Sequence, residues 1–290
     1  MSKIAILTDS SCDIPQEMAE KYGIDIMSFH ILLDDVDYVE RESCTNTEFY
    51  DKMRLAKGVP STAAITPIQF CEKYCQYVDE GYTDVIHVPI NKSGSSTYNN
   101  ALMAQGMLRE ERPEHHMKIH LLDPHTYSMV FGWYLCEMAR KLKNGAEISH
   151  VIQEFEKQMN CMEIILGPYS LKQMKKSGRI SAAAAVMGEL MGVRPIITLI
   201  DGKTKVESKV RGDDKVVAAM IELCKKRADG VENFDYMIGH TNIKQAEDLE
   251  KACRKAFGKA PLVVFELGGV VSANTGPDTV ALVYTGHPRG

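Results

Sequence analysis

The 290-residue chain is poor in several features that would assign it a function at once. It has no G-x-G-x-x-G segment, no C-x-x-C pair and a single tryptophan, and its formal charge is -5. Without the glycine fingerprint there is no dinucleotide turn of the usual kind, and Gly202-Lys203-Thr204 lacks the glycine a phosphate-binding P-loop needs five residues earlier, where Ile197 stands. The mild acidity argues against nucleic acid, which requires a strongly basic face. Eight cysteines without C-x-x-C spacing are expected to be buried apolar residues of a reduced compartment, and Cys71 and Cys75, one turn apart beside Tyr74, to pack rather than bind metal. The start, MSKIAILTDS, runs from Lys3 directly into a strand-like segment with no apolar stretch for a signal peptide or membrane span, so a cytoplasmic protein without an integral membrane segment is expected.

Present instead is an alternation of strand and helix signals. Residues 3–8 read as a strand, 14–22 as a helix with Pro15 near its first turn, and 24–33 as extended chain. Thr66-Pro67 reads as the cap and first position of a helix reaching about Tyr77, followed by a strand at 84–90, a helical segment over 97–112 and a strand at 118–123. A long helical stretch runs from Tyr127 to about Gln158. The pattern then restarts at 161–166 and continues with a strand at 196–200, a turn at Asp201-Gly202, a strand to Val210, a helix at 213–228, and strands near 235–240, 261–267 and 279–285. This predicts two α/β domains, residues 1–160 and 161–290, the first with a mostly parallel sheet flanked by helices and the second with a mixed sheet and helices.

Ligands of open α/β sheets bind beyond the carboxyl ends of the strands. Of the loops there, Thr8-Asp9-Ser10-Ser11 reads best as helix capping with Asx-type hydrogen bonding, and Pro60-Ser61-Thr62 as a cap before a helix. The loop Asn91-Lys92-Ser93-Gly94-Ser95-Ser96 lies between a strand and a helix start and has the small residues of an anion socket. Its serines lack a G-x-S-x-G elbow, and no histidine, His240 at a strand end included, sits in a motif that marks a base; a stand-alone hydrolase or transferase is the weaker reading. Arg179, just before a helix that Ser181 can cap, suits a carboxylate or phosphate. Lys172, Lys175 and Lys176 form a basic face that is either simply solvated or meets an acidic partner or, transiently, an anionic membrane surface.

Five segments in order carry a family resemblance: TDSSCDIP, PSTAAITPIQF, INKSGSSTY, KKSGRIS with GVRPIITLIDGK, and SANTGPD. From end to end the chain resembles the DegV family of bacterial fatty-acid-binding proteins, some of which carry acyl chains for a fatty acid kinase. The resemblance implies a long-chain fatty acid held between or within two α/β domains, no other cofactor, no catalysis by the chain alone, and a possible kinase subunit as partner. It places the carboxylate ligands on Thr62 and Ser95, with Ser93 and Ser96 flanking, and sets Asn274 beside Arg179 where many members have histidine. Ala63-Ala64-Ile65 and Gly94 also depart from the family pattern. A lipid is physically reasonable: burying ~15 methylenes is worth on the order of 12 kcal/mol before ordering costs, so the tail supplies affinity while loop hydroxyls orient the head.

Overall fold

The computed structural model describes residues 3–178 and 192–289. Its first sheet has the order β2-β1-β6-β7, from β1 (Ile4–Asp9), β2 (Ile24–Met27), β6 (Asp84–Val88) and β7 (Lys118–Leu121), all parallel. β1 and β6 are buried almost throughout, which is why they read as continuous apolar runs rather than alternating ones. Helices α3 (Pro67–Asp79) and α4 (Thr97–Glu111) cover one face, where Leu7 and Val85 pack with Phe70 and Tyr74. On the other face Ile6 and Ile86 pack under α1 (Gln16–Tyr22), α5 (Met129–Lys143) and α6 (Ile148–Met159).

A small antiparallel sheet, ordered β4-β3-β5, lies beside this layer and is formed by β3 (His30–Leu33), β4 (Val36–Val39) and β5 (Ser61–Ala63). The extended segment 24–33 is therefore two strands in two sheets. Helix α2 (Asn46–Leu55) follows β4 and is started by a capping box between Thr45 and Glu48. Thr62 does not precede a helix: it lies within β5, opposite Ile31, and the next helix starts at Pro67 under a second capping box, Thr66 with Gln69. The helical stretch from Tyr127 divides at Asn144-Gly145, where Gly145 takes φ 87° and ends α5.

The second sheet is mixed, with the order β10-β9-β8-β13-β11-β12. Its strands are β8 (Met162–Pro168), β9 (Val193–Ile200), β10 (Lys203–Arg211), β11 (Tyr236–His240), β12 (Val264–Glu266) and β13 (Thr279–Thr285); only β11 and β12 pair in parallel. Between β8 and β9 comes the short helix α7 (Lys172–Ser177). Helices α8 (Val216–Arg227) and α9 (Ile243–Phe257) cover one face of the sheet, burying Ile165, Ile238 and Leu282. The opposite face, with Ile164, Ile197 and Val283, belongs to the same hydrophobic cluster as Ile6 and Phe131 of the first half. The short helix α10 (Gly269–Thr275) leaves the second sheet and packs on α2 and β5. The fold is a two-domain α/β architecture whose halves share one core.

Candidate functional site

A cavity with about 1130 Å³ of empty space, open mouth included, lies between the two sheets. Its apolar wall comes from both halves: Val130 from α5, Ile164 and Leu166 from β8, Leu199 from β9, Phe265 from β12 and Val283 from β13. Polar groups line it where three elements converge. β5 brings Thr62, the loop before α4 brings Ser95 and Ser96, and α10 brings Asn274 and Thr275. Contact between α10 and β5, and the hydrogen bond from Asn100 Nδ2 of α4 to the Ile65 carbonyl (2.7 Å), hold these elements together. Among the described residues the lining has neither a basic nor an acidic side chain, so what faces a ligand head there is hydroxyls, an amide and the amino-terminal end of a fifteen-residue helix, α4, which Ser96 begins without a side-chain cap.

The loop before α4 is built by local hydrogen bonds. The Ser93 backbone N–H donates to Asn91 Oδ1 (2.9 Å) and the Gly94 N–H to the Asn91 carbonyl (3.0 Å), an Asx-type turn. The Ser95 hydroxyl lies 2.9 Å from the Thr97 hydroxyl and accepts the Thr97 N–H (3.3 Å). Gly94 is required by packing: a Cβ there would collide with the Tyr127 phenol, whose ring also lines the cavity. Ser93 does not line the cavity. Its hydroxyl is bonded to Asn91 Oδ1 (3.0 Å), and both residues abut Gly202 in the turn between β9 and β10. That turn is also tied to the first half by Asp201, 2.8 Å from His125 Nδ1.

Of the residues singled out from sequence, Thr62, Ser95, Ser96 and Asn274 are thus brought to one cavity, and Ser93 braces the turn beside it. Asn274 spends one amide N–H on the Val270 carbonyl (2.9 Å) and keeps its oxygen and a second N–H. Arg179 and Ser181 lie outside the described residues. The partners of the Ser93 and Ser95 hydroxyls are Asn91 and Thr97, with no histidine in line as a base. His240 is buried at the end of β11, with desolvation lowering its pKa, and does not line the cavity.

Beneath the polar end lie three buried carboxyls, of which the sequence reading singled out only Asp9, as part of a cap. Asp9 does cap the short turn Ser10–Cys12 by accepting the Ser11 N–H (3.1 Å), and it also accepts the Ile90 N–H (2.6 Å), which anchors the base of the 91–96 loop. Burial outweighs those hydrogen bonds and holds the Asp9 carboxyl at about 7. Glu40 accepts the Ser10 hydroxyl and the Val270 N–H (2.8 Å), so a first-half carboxyl holds the start of α10. Asp13, in the left-handed region at φ 53°, accepts the hydroxyl of Ser128, a residue of the cavity wall. Burial raises Glu40 and, with Glu40 beside it, Asp13 above the ordinary carboxylate range. Nothing in the sequence marks Glu40 or Ser128, because each reaches its partner only through the tertiary fold.

Among the described residues no group of His, Cys, Asp and Glu is arranged to hold a metal ion, and no helix is long and apolar enough to cross a membrane. Cys71 and Cys75 pack with Phe70 and Tyr74.

Residues 3–286 match the profile of the DegV family, described as "Uncharacterised protein, DegV family". A DegV domain-containing protein of Clostridium perfringens is 28% identical over 293 residues, covering 98% of this chain and 99% of that protein. Another from Staphylococcus aureus is 28% identical over 291 residues, with 98% of each chain covered. Among solved structures, a fatty acid binding DegV family protein from Streptococcus agalactiae superposes with a TM-score of 0.85 at 26% identity, covering 99% of this chain and 100% of its own. A stearic acid-binding protein from Eubacterium ventriosum superposes with a TM-score of 0.88 at 23% identity, covering 99% and 98%, and shares the fold.

Proposed function

Because the chain belongs to the DegV family, we propose that it binds one long-chain fatty acid in the cavity between its two domains, residues 1–160 and 161–290. The observation that carries this reading is the cavity itself: an apolar wall drawn from both sheets, with uncharged hydroxyl and amide groups converging where β5, the 91–96 loop and α10 meet. The tail supplies affinity by leaving water, and the head is held by Thr62 and Ser95, with Ser96 and Asn274 beside it. Hydroxyl donors hold a carboxylate without burying an unpaired cation. Ser93 serves the site indirectly through the loop, and Arg179, placed there by family resemblance, adds a charged partner.

Among the described residues the Ser95 hydroxyl pairs with Thr97, not with a histidine, and this supports a protein that carries its ligand rather than transforming it. It presents the carboxylate to a separate fatty acid kinase subunit, which forms the acyl phosphate by phosphorylating a carboxylate oxygen. Lys172, Lys175 and Lys176 are exposed on α7 and, with Arg179, form the docking face for that subunit or for a brief encounter with an anionic membrane surface. The carrier works in the cytoplasm and requires no other cofactor.

Native mass spectrometry of the purified protein, followed by lipid extraction, tests the reading. A retained fatty acid at one per chain is expected, with retention reduced in Thr62→Ala and Ser95→Ala, each by roughly 1.5 to 3 kcal/mol of lost hydrogen bonding to a charged head. Protein free of lipid that also fails to take up added fatty acid would remove the proposal.

A further inference from the structure

We infer that Thr275 is a positioning residue for the ligand head, supplying a hydroxyl from the second domain opposite Thr62 and Ser95 of the first. The inference rests on the fatty-acid reading above and adds to it a residue and a bridging geometry. Thr275 lines the cavity and is only 5% exposed. Its Oγ1 is buried and has no hydrogen-bond partner among the described residues. Buried hydroxyls are seldom left unpaired, since desolvating one without a partner is costly.

The rest of the residue is fully engaged, which makes the idle hydroxyl harder to dismiss as loose packing. The Thr275 carbonyl accepts the Thr279 hydroxyl (2.8 Å), and the next residue, Gly276, takes φ 92° and donates its N–H to the Ser272 carbonyl (2.7 Å), which fixes the end of α10. At its other end α10 is held by Glu40 through the Val270 N–H, and the Leu267 carbonyl just before it accepts the Tyr50 hydroxyl. Backbone anchors on both sides therefore hold a threonine whose hydroxyl is used by none of the described residues. A carboxylate seated among Thr62, Ser95 and Thr275 has an acceptor to give it. Because α10 belongs to the second half of the chain while Thr62 and Ser95 belong to the first, the head would then bond to both domains at once.

The test uses delipidated full-length protein titrated with palmitate and, separately, with methyl palmitate, which keeps the chain but has no charged head. Thr275→Val is close to isosteric and removes only the hydroxyl. Expected is palmitate binding roughly ten- to a hundredfold weaker, methyl palmitate binding within twofold of the parent, and near-parental palmitate binding in Thr275→Ser. The ligand-free Val variant should melt at the same temperature as the parent or higher, since it has lost an unpaired buried hydroxyl. Unchanged palmitate affinity in Thr275→Val would overturn the assignment, as would an equal loss for acid and ester, which marks a purely structural role. A parent that binds neither ligand would overturn the fatty-acid reading itself.

Discussion

Glu40 bonds the first half to the second through the Val270 N–H, and its charge state sets a pH dependence. Burial raises the folded-state pKa of Glu40, Asp9 and Asp13 above the values these groups have in an unfolded chain, near 4.5 for the glutamate and 3.8 for the aspartates. Between those values and the raised ones, about 7 for Asp9, the folded protein holds protons that the unfolded chain has already released. Stability must then fall as pH rises from about 4 through neutrality, the reverse of a salt-bridged carboxylate. Glu40→Gln imitates the protonated form: its amide oxygen can accept the Val270 N–H while its N–H₂ faces Ser10. The expected result is a melting temperature that declines between pH 5 and 8 in the parent and declines less in Glu40→Gln. Parallel curves for the two proteins would show that Glu40 does not hold a proton in the fold. Only part of this was legible beforehand. Asp9 as a cap two residues from Ser11 is a local fact that a sequence shows, whereas its bond to Ile90, 81 residues away, and the link from Glu40 to Val270 across 230 exist only once sheets and helices have packed.

At the scale of elements, strength of pattern decided what could be read. β1, β6, β8 and β13 are long and buried on both faces, and their apolar runs announce them. β5 is three exposed residues, Ser-Thr-Ala, made a strand only by pairing with β3, so Thr62 read as a cap. Helix α2 went unread: its apolar stripe is weak, and the capping box Thr45-x-x-Glu48 that starts it was passed over. The turn between β9 and β10 was legible as Asp201-Gly202 but not for what it touches. It reaches across to the first half, where Gly202 at φ 70° borders the cavity and lies against Asn91 and Ser93. Gly202→Ala puts a Cβ into both side chains at a conformation that alanine resists, so the turn must lift from the 91–96 loop or the loop must shift. Loss of about 1 to 3 kcal/mol of stability and faster fatty acid release, read by stopped-flow displacement of a fluorescent fatty acid, are expected. Release at the parental rate would mean that the turn plays no part in closing the mouth.

Across the whole molecule, the cavity is walled by a cluster that runs without a break from Ile6 and Phe131 in the first half to Ile164, Ile197 and Val283 in the second. Helix α10 extends that continuity by burying Val270 and Ala273 in the first half's other core, beside Phe49 and Tyr50. Domains built this way have few contacts they can keep when the other unfolds, so the chain should melt as one cooperative unit although its sheets are two. A ligand that fills the space between the sheets binds only the folded form and stabilises it by mass action, by about 2.7 kcal/mol at a free concentration one hundred times its dissociation constant. For a chain of this length each kcal/mol raises the melting temperature by roughly 2 °C, so saturation with palmitate should lift the single transition of the delipidated protein by about 5 °C. Calorimetric scans with and without palmitate distinguish the possibilities. One transition that moves as a whole places the ligand on the shared core, whereas two transitions of which only one moves would assign the cavity to a single domain and separate the halves energetically.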